Sequence, residues 1–166
     1  MNSNDVLPKR KSIRLKGYDY SSVGSYHITI CTKDKEKLFW NTVGATSGRP
    51  QNDYVLSEYG EIVEQEIQKI ENIYDAVKVD KYVVMPNHIH MLISIVSDEF
   101  GRPKVAPTIS RIVQQFKGSV SKQTGFSIWQ KGYIDHIIRG QADYDETWQY
   151  IDENPLKWVL KKDERM

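Results

Sequence analysis

Two of the four histidines in this 166-residue chain stand one residue apart, at His88 and His90. They close an apolar run that starts at Tyr82 and whose valines and isoleucines favour a β-strand. Because successive strand side chains point to opposite faces, the two imidazoles share one face and Ile89 lies on the other. Two neutral imidazoles on one rigid strand can bind a divalent cation if a third ligand comes from elsewhere. The same tripeptide also fits two hydrogen-bonded histidines with no metal.

Three other residues could complete such a site. Tyr150 and Asn154 are four residues apart in a segment that favours a helix, so they lie on one helical face. Beside a bound cation, this pair would be a hydroxyl nucleophile next to an amide ligand. His27, on the first predicted strand, could approach the cation from a neighbouring strand. A strand histidine beside tyrosines also suits core packing or a DNA contact.

The elements that must position these groups follow the order strand, helix, strand, strand, helix, strand, helix. The first strand is predicted over 25–32, an amphipathic helix over 56–74, and a hairpin of strands over 74–84 and 88–96. A helix capped by Thr108, a short strand over 134–139 and a last helix over 141–154 follow. Asp143 is the expected cap of that last helix, and Pro155 is expected to end it. The order predicts a single domain over 1–166 with a basic N-terminal arm over 1–16.

The whole-chain composition is that of a soluble globular protein, with 39% hydrophobic and 27% charged residues. No apolar run approaches the ~20 residues that span a bilayer, and the polar start does not read as a signal peptide. The single cysteine, Cys31, excludes an internal disulfide and suits a reducing compartment. We therefore expect a cytoplasmic protein that does not contact a membrane.

The net charge of +1 hides an uneven distribution. Residues 9–16 and 100–134 carry basic side chains and no acid, whereas 53–80 holds eight acids against two lysines. Such basic stretches suit the phosphates of nucleic acid, although a solvated charge run is the plain alternative. The aromatic and basic stretch 126–133 could stack on unpaired bases, although Trp129 also suits the core. The predicted DNA contacts are Lys9, Arg10, Lys11, Arg14, Lys16, Arg111, Lys117, Lys131 and Arg139.

Five segments, in their order and spacing, resemble the REP-associated tyrosine transposases. This family lies within the single-tyrosine HUH transposases, named for histidine, a hydrophobic residue and histidine. The segments are 14–20, Tyr26-His27-Ile28-Thr29, Met85-Pro86-Asn87-His88-Ile89-His90, Asp135-His136-Ile137-Ile138-Arg139 and 150–157. The resemblance implies an α+β fold, a ferredoxin-like antiparallel sheet with helices packed on one face. It also implies one active site, built from the histidines of a central strand and a tyrosine on a C-terminal helix.

The resemblance also implies roles. Tyr150 would be the nucleophile, and His88, His90 and Asn154 would hold Mg²⁺ or Mn²⁺. Asn154 stands where related insertion-sequence transposases have a glutamine. His27 and His136 would lie behind the metal ligands. The implied reaction is nicking and rejoining of single-stranded or hairpin DNA through a 5′-phosphotyrosine, without a nucleotide cofactor, by a monomer or a homodimer.

The residues leave two alternatives open. One is a non-catalytic nucleic-acid-binding protein on the same fold, which would use only the basic stretches. The other is a metal-dependent hydrolase that activates water, in which Tyr150 is structural. A histidine-triad nucleotide hydrolase would want a histidine where the chain has Leu92. A covalent protein–DNA adduct would separate the transposase from both alternatives.

Overall fold

The computed structural model describes residues 14–41, 54–97, 100 and 106–163. The predicted DNA contacts Lys9, Arg10 and Lys11 lie outside the described residues. The strands are β1 (Gly24–Cys31), β2 (Trp40–Asn41), β3 (Val55–Leu56), β4 (Val77–Val84), β5 (His88–Ile95) and β6 (Ile134–Ile137), and the helices are α1 (Glu58–Ile73), α2 (Ile109–Thr124) and α3 (Gln141–Asp163). Among the described residues, no helix is long and apolar enough to cross a membrane.

The main sheet has four strands in the order β4-β5-β1-β6, and every neighbouring pair is antiparallel. With α1 between β1 and β4 and α2 between β5 and β6, this is the split βαβ arrangement of ferredoxin-like folds. β2 and β3 form a separate two-stranded ladder. The predicted α+β antiparallel sheet with helices is confirmed, and β5 occupies an inner position with a partner strand on each side.

One face of the sheet packs against α1 and α2. β1 and β5 place alternate apolar side chains there, and the fully buried Tyr26, Ile28, Ile89 and Met91 belong to this core. The start of α2 is the predicted one, because the Thr108 side chain accepts a hydrogen bond from the third backbone amide after it. This face is therefore closed by helices and holds most of the apolar core.

The opposite face of the sheet packs against α3. Ile151 is fully buried there, in a cluster with Val83, Met85 and Leu92, and Lys81 on β4 forms a 2.5 Å ion pair with the helix. The prediction of helices on one face therefore holds for α1 and α2, whereas α3 covers the other face. This second layer carries the residues that the sequence marks for chemistry.

The predicted end of the last helix is wrong, because α3 continues through Pro155 to Asp163. A proline inside a helix removes one backbone hydrogen bond, here the one that the Ile151 carbonyl would accept. The continuing turns bring Trp158 onto the buried cluster around Ile151, and this packing offsets the loss. The helix also begins at Gln141, so Asp143 lies in its first turn and is not its cap.

Candidate active site

All four histidines of the chain lie on the sheet face that α3 covers. The register pairs Cys31 with His88, Thr29 with His90, His27 with Leu92, and His27 with His136. Residues that pair across neighbouring strands share a face, so the histidines form a row across β6, β1 and β5. The rings of His88 and His90 have centroids 4.8 Å apart, as expected for side chains two residues apart on one strand.

The ring of His90 is held from one side only. It is 4% exposed, and its Nδ1 lies 3.1 Å from His27 Nε2 and 3.0 Å from Thr29 Oγ1. Its Nε2 is buried and has no hydrogen-bond partner among the described residues. Burying a polar nitrogen without a hydrogen-bond partner costs free energy. His90 Nε2 therefore has either an N–H or a lone pair that no described residue satisfies.

The ring of His88 is oriented by the preceding residue. Asn87 donates its amide Nδ2 to the Lys35 carbonyl at 3.2 Å, so its Oδ1 faces His88 Nδ1, 2.7 Å away. An amide oxygen only accepts, and therefore His88 Nδ1 is the protonated nitrogen that donates to it. This tautomer leaves Nε2 as the nitrogen with a free lone pair.

Burial keeps these imidazoles uncharged. It lowers the pKa of His27 and of His88 to about 4 and that of His90 to about 3. Charge on neighbouring groups adds to the effect, from His136 at His27, from Lys35 at His88, and from His88 and His27 at His90. The three rings are thus neutral at pH 7, which is the form that binds a metal ion.

Tyr150 lies against the same histidines. Its ring centroid is 5.3 Å from that of His90 and 5.8 Å from that of His27, both in edge-to-face geometry. The side chain is 45% exposed, whereas the adjacent Ile151 is fully buried and anchors this turn of α3. One chain therefore brings the tyrosine and the histidines together, with the tyrosine open to a ligand from solvent.

The donors present fit a divalent cation. The unpartnered Nε2 of His90 and the free lone pair of His88 provide two nitrogens. Within the described ranges no three His, Cys, Asp or Glu side chains could hold a metal ion together, so a third ligand drawn from these ranges would be of another type. Asn154, one turn after Tyr150, donates its Nδ2 to the Tyr150 carbonyl at 3.1 Å. This hydrogen bond does not use the Asn154 Oδ1, which is the electron-pair donor of the amide. His27 uses its Nε2 toward His90, and so it lies behind that ring.

A family model described as "Transposase IS200 like" matches residues 20–154. The chain belongs to this family. An uncharacterized protein of Haemophilus influenzae is 34% identical over 174 residues, covering 93% of this chain and 93% of that protein. A second protein of that organism, named "Putative REP-associated tyrosine transposase", is 22% identical over 147 residues, 84% of this chain and 74% of its own length.

A solved structure with the same fold is that of a REP-associated tyrosine transposase bound to a REP hairpin. It superposes with a TM-score of 0.63 at 19% identity, over 87% of this chain and 73% of that one. The resemblance to REP-associated tyrosine transposases that the sequence indicated is therefore confirmed.

In this IS200-like transposase His136 links the sheet to the start of α3. Its Nε2 lies 2.9 and 3.0 Å from the two carboxylate oxygens of Asp143. The Arg139 backbone N–H donates to the same carboxylate at 2.7 Å, and these contacts lower the pKa of Asp143. His136 thus holds the first turn of the helix that carries Tyr150, two turns before the tyrosine.

The predicted DNA contacts among the described residues differ in their surroundings. Lys16, Lys131 and Arg139 are exposed, and Arg14 lies over the Tyr133 ring at 4.6 Å. The exposed Arg111 belongs to α2, which packs on the sheet face opposite Tyr150.

Lys117 has a structural role in α2. Its Nζ donates to the carbonyls of Gln130 and Gly132 at 2.8 and 2.9 Å, and burial lowers its pKa. Trp129 packs in the core between Phe39 and Phe116, which is the plainer of its two sequence interpretations. The sequence reading did not single out Thr29, Lys35 or Trp158, because their contacts with the site come from other segments of the chain.

Proposed function

We propose that this IS200-like transposase nicks and rejoins single-stranded or hairpin DNA through a covalent bond to Tyr150. The observation that carries the proposal is the position of the Tyr150 ring, 5.3 Å from the ring of His90, whose buried Nε2 has no hydrogen-bond partner among the described residues. A solvent-accessible hydroxyl beside two neutral imidazoles is the set of groups that metal-assisted attack by a tyrosine needs.

The metal would be Mg²⁺ or Mn²⁺, held by His88, His90 and Asn154. When bound, it would neutralise a non-bridging oxygen of the phosphodiester and so reduce the repulsion that this anion exerts on a nucleophile. The residues behind the ligands keep the imidazoles in place: Thr29 and His27 at one ring, and Asn87 at the other. Such supporting hydrogen bonds fix the tautomer and the direction of the lone pair.

In the reaction, the Tyr150 oxygen bonds to phosphorus and the bond from phosphorus to the 3′-oxygen breaks. The tyrosine loses its proton and the departing 3′-oxygen gains one, so the products are a 5′-phosphotyrosine and a free 3′-hydroxyl. Because the ester bond is exchanged and not hydrolysed, the reverse attack by a 3′-hydroxyl rejoins a strand without ATP. The similar transposase structure bound to a REP hairpin supports hairpin DNA as the ligand class.

The test is incubation of the protein with end-labelled hairpin DNA in Mg²⁺ or Mn²⁺, followed by denaturing electrophoresis. We expect a labelled covalent adduct with the wild type, none in EDTA, and none with Tyr150→Phe or His88→Ala. Tyr150→Phe removes one oxygen and no charge, so its affinity for the hairpin should stay within about twofold of wild type.

Two outcomes would contradict the proposal. Equal cleavage by the wild type and Tyr150→Phe would indicate a hydrolase that uses water. Tight binding of the hairpin with neither cleavage nor adduct in either metal would indicate a non-catalytic DNA-binding protein.

A further inference from the structure

The turn after β1 lies against the His88 end of the site. A short 3₁₀ segment covers Lys33–Lys35. Both Asp34 and Lys35 have φ of 54°, in the left-handed region that is unfavourable for residues other than glycine. Such a conformation persists only where the surroundings enforce it, and observed outliers of this kind concentrate at functional sites.

Two side chains enforce this turn. The Oγ1 of the fully buried Thr32 lies 2.7 Å from the Glu36 carbonyl oxygen and 3.0 Å from that of Asn87, and these two acceptors share its one hydroxyl proton. Asn87 donates its amide to the Lys35 carbonyl and accepts from His88 Nδ1. One asparagine therefore connects the turn to a candidate metal ligand, and the turn cannot move independently of the His88 ring.

The turn presents cations beside that ring. Lys33, Lys35 and Lys37 are exposed, and none of them forms an ion pair with another of the described residues. The Lys35 carbonyl accepts from Asn87 Nδ2 at 3.2 Å, and Asn87 Oδ1 lies 2.7 Å from His88 Nδ1, so Lys35 stands on the part of the turn next to that ring. Lys37 Nζ lies 5.9 Å from the centroid of the Trp158 ring, near the outer limit of a cation–π contact.

An aromatic ring completes the arrangement. Trp158 is partly buried, packs against the cluster around Ile151, and has its ring centroid 5.9 Å from that of His88. Its presence beside the site depends on the continuation of α3 past Pro155. A partly buried indole next to the Lys37 ammonium offers a stacking surface for a base and a charge for its phosphate.

We propose that Lys35, Lys37 and Trp158 bind one unpaired nucleotide of the DNA next to the phosphate that Tyr150 attacks. The two lysines contact the backbone phosphate, and the base stacks on the indole. This nucleotide must be single-stranded, because a paired and stacked base cannot present its face to a side chain. The inference rests on the proposed function for its location, since the scissile phosphate is placed by Tyr150 and the histidines.

The test measures binding and not cleavage, in a Tyr150→Phe background and in EDTA. The probe is a fluorescent hairpin oligodeoxynucleotide with single-stranded flanks, titrated at several salt concentrations. Lys35→Gln with Lys37→Gln should flatten the slope of log affinity against log salt by about 0.7, because the two lysines neutralise one phosphate and each phosphate contact on a single strand contributes about 0.7. The matched control is Lys122→Gln, which removes an exposed charge in the last turn of α2, on the far face, and should leave the slope unchanged.

Stacking is tested separately with abasic sites placed one at a time along the flanks. At one position the abasic probe should bind the parent protein roughly 5- to 160-fold more weakly, the range expected for loss of one stacked base. Trp158→Leu should weaken binding of the intact probe by a similar factor. This variant should bind the intact probe and that abasic probe with equal affinity. If Trp158→Leu does not fold, Trp158→Phe should show a reduced abasic effect.

The outcomes separate this subsite from the reaction. The subsite is overturned if the lysine variant has the salt slope of the Lys122→Gln control, or if every abasic position affects the tryptophan variant and its parent equally. The wild-type adduct assay tests the reaction alone. Absence of the adduct with the salt and abasic responses intact would contradict the proposed function and leave the subsite standing.

Discussion

Acid should destabilise the metal-free protein through three histidines of the site. Lowering the pH from 7 to 5 protonates histidine in the unfolded chain, where its pKa is 6.5, but not in the folded protein, where His27 and His88 have a pKa of about 4 and His90 of about 3. Each folded-state pKa lies below the unfolded value, so the unfolded state binds more protons between pH 6.5 and 4. Stability is therefore lost as the pH falls through that window.

The size of the loss follows from the pKa differences. At pH 5 a histidine with a folded pKa of about 4 and an unfolded pKa of 6.5 contributes about 2 kcal/mol. Three independent histidines would contribute about 6 kcal/mol. That sum is too large, because the repulsion between two charged rings enters the pKa of both of them. In addition, His27 and His88 are partly exposed, and water screens their charge. We expect a net loss of roughly 2–4 kcal/mol, which lowers the Tm of a protein this size by roughly 5–15 °C.

The assay is thermal unfolding followed by circular dichroism, in EDTA, at pH 7, 6 and 5. His27→Gln removes one of the three groups, so it should lose about 1 kcal/mol less than the wild type between pH 7 and 5. Lys122→Ala is the control and should follow the wild type. The pKa values of Asp143 and Glu66 are lowered by the hydrogen bonds that their carboxylates accept, so these two groups titrate at a lower pH than ordinary carboxylates. A flat Tm from pH 7 to 5, or the same pH dependence in His27→Gln, would refute the reasoning.

Three further predictions concern single features of the fold. Thr29→Val keeps the shape of the side chain but removes the contact to His90 Nδ1, and it should weaken Mn²⁺ binding at least about tenfold by calorimetry, whereas Thr29→Ser should not. Pro155→Ala restores an amide donor for the Ile151 carbonyl and should stabilise the protein by about 1 kcal/mol or more in urea unfolding; a less stable variant would contradict this account of α3. Alanines at Lys9–Lys11 should flatten the salt slope of DNA binding by about 2 without changing the Tm, and an unchanged slope would mean that the arm makes no phosphate contact.

Local patterns predicted the layout of the sheet. The alternation of apolar with other side chains around Ile28 and Ile89 predicted both inner strands. The same period of two predicted that His88 and His90 share a face. Thr108 marked the start of α2 because capping is a short-range interaction between a side chain and backbone amides three residues away. These features depend on residues within one strand or one turn, so a single sequence carries enough information to identify them.

Features that depend on tertiary packing were not predictable in this way. Pro155 is a local helix breaker, and only the contact between Trp158 and the cluster under α3 shows why the helix continues. The hydrogen bond between Thr29 and His90 joins positions 61 residues apart, and no pattern within either strand indicates it. The docking of α3 beside the histidines was expected only from the family resemblance.

Charge patterns do not show what an individual charged side chain contacts. The acid-free stretch over residues 100–134 suggested a DNA surface that included Lys117. In the structure the Lys117 ammonium holds the carbonyls of Gln130 and Gly132. A count of charges cannot distinguish a lysine that faces a ligand from one that closes a loop, because the two differ only in which backbone oxygens lie nearby.

The antiparallel register of β1 and β5 limits where related sequences can gain or lose residues. Because side chains alternate, inserting or deleting one residue within β5, between His88 and Ile89, would move His90 to the face that α1 and α2 fill with apolar side chains. The apolar set led by Ile89 would move to the α3 face in the same step. Loss of the site and loss of the core thus come from one event, so related chains should differ by substitution within β1 and β5 and vary in length only at their turns.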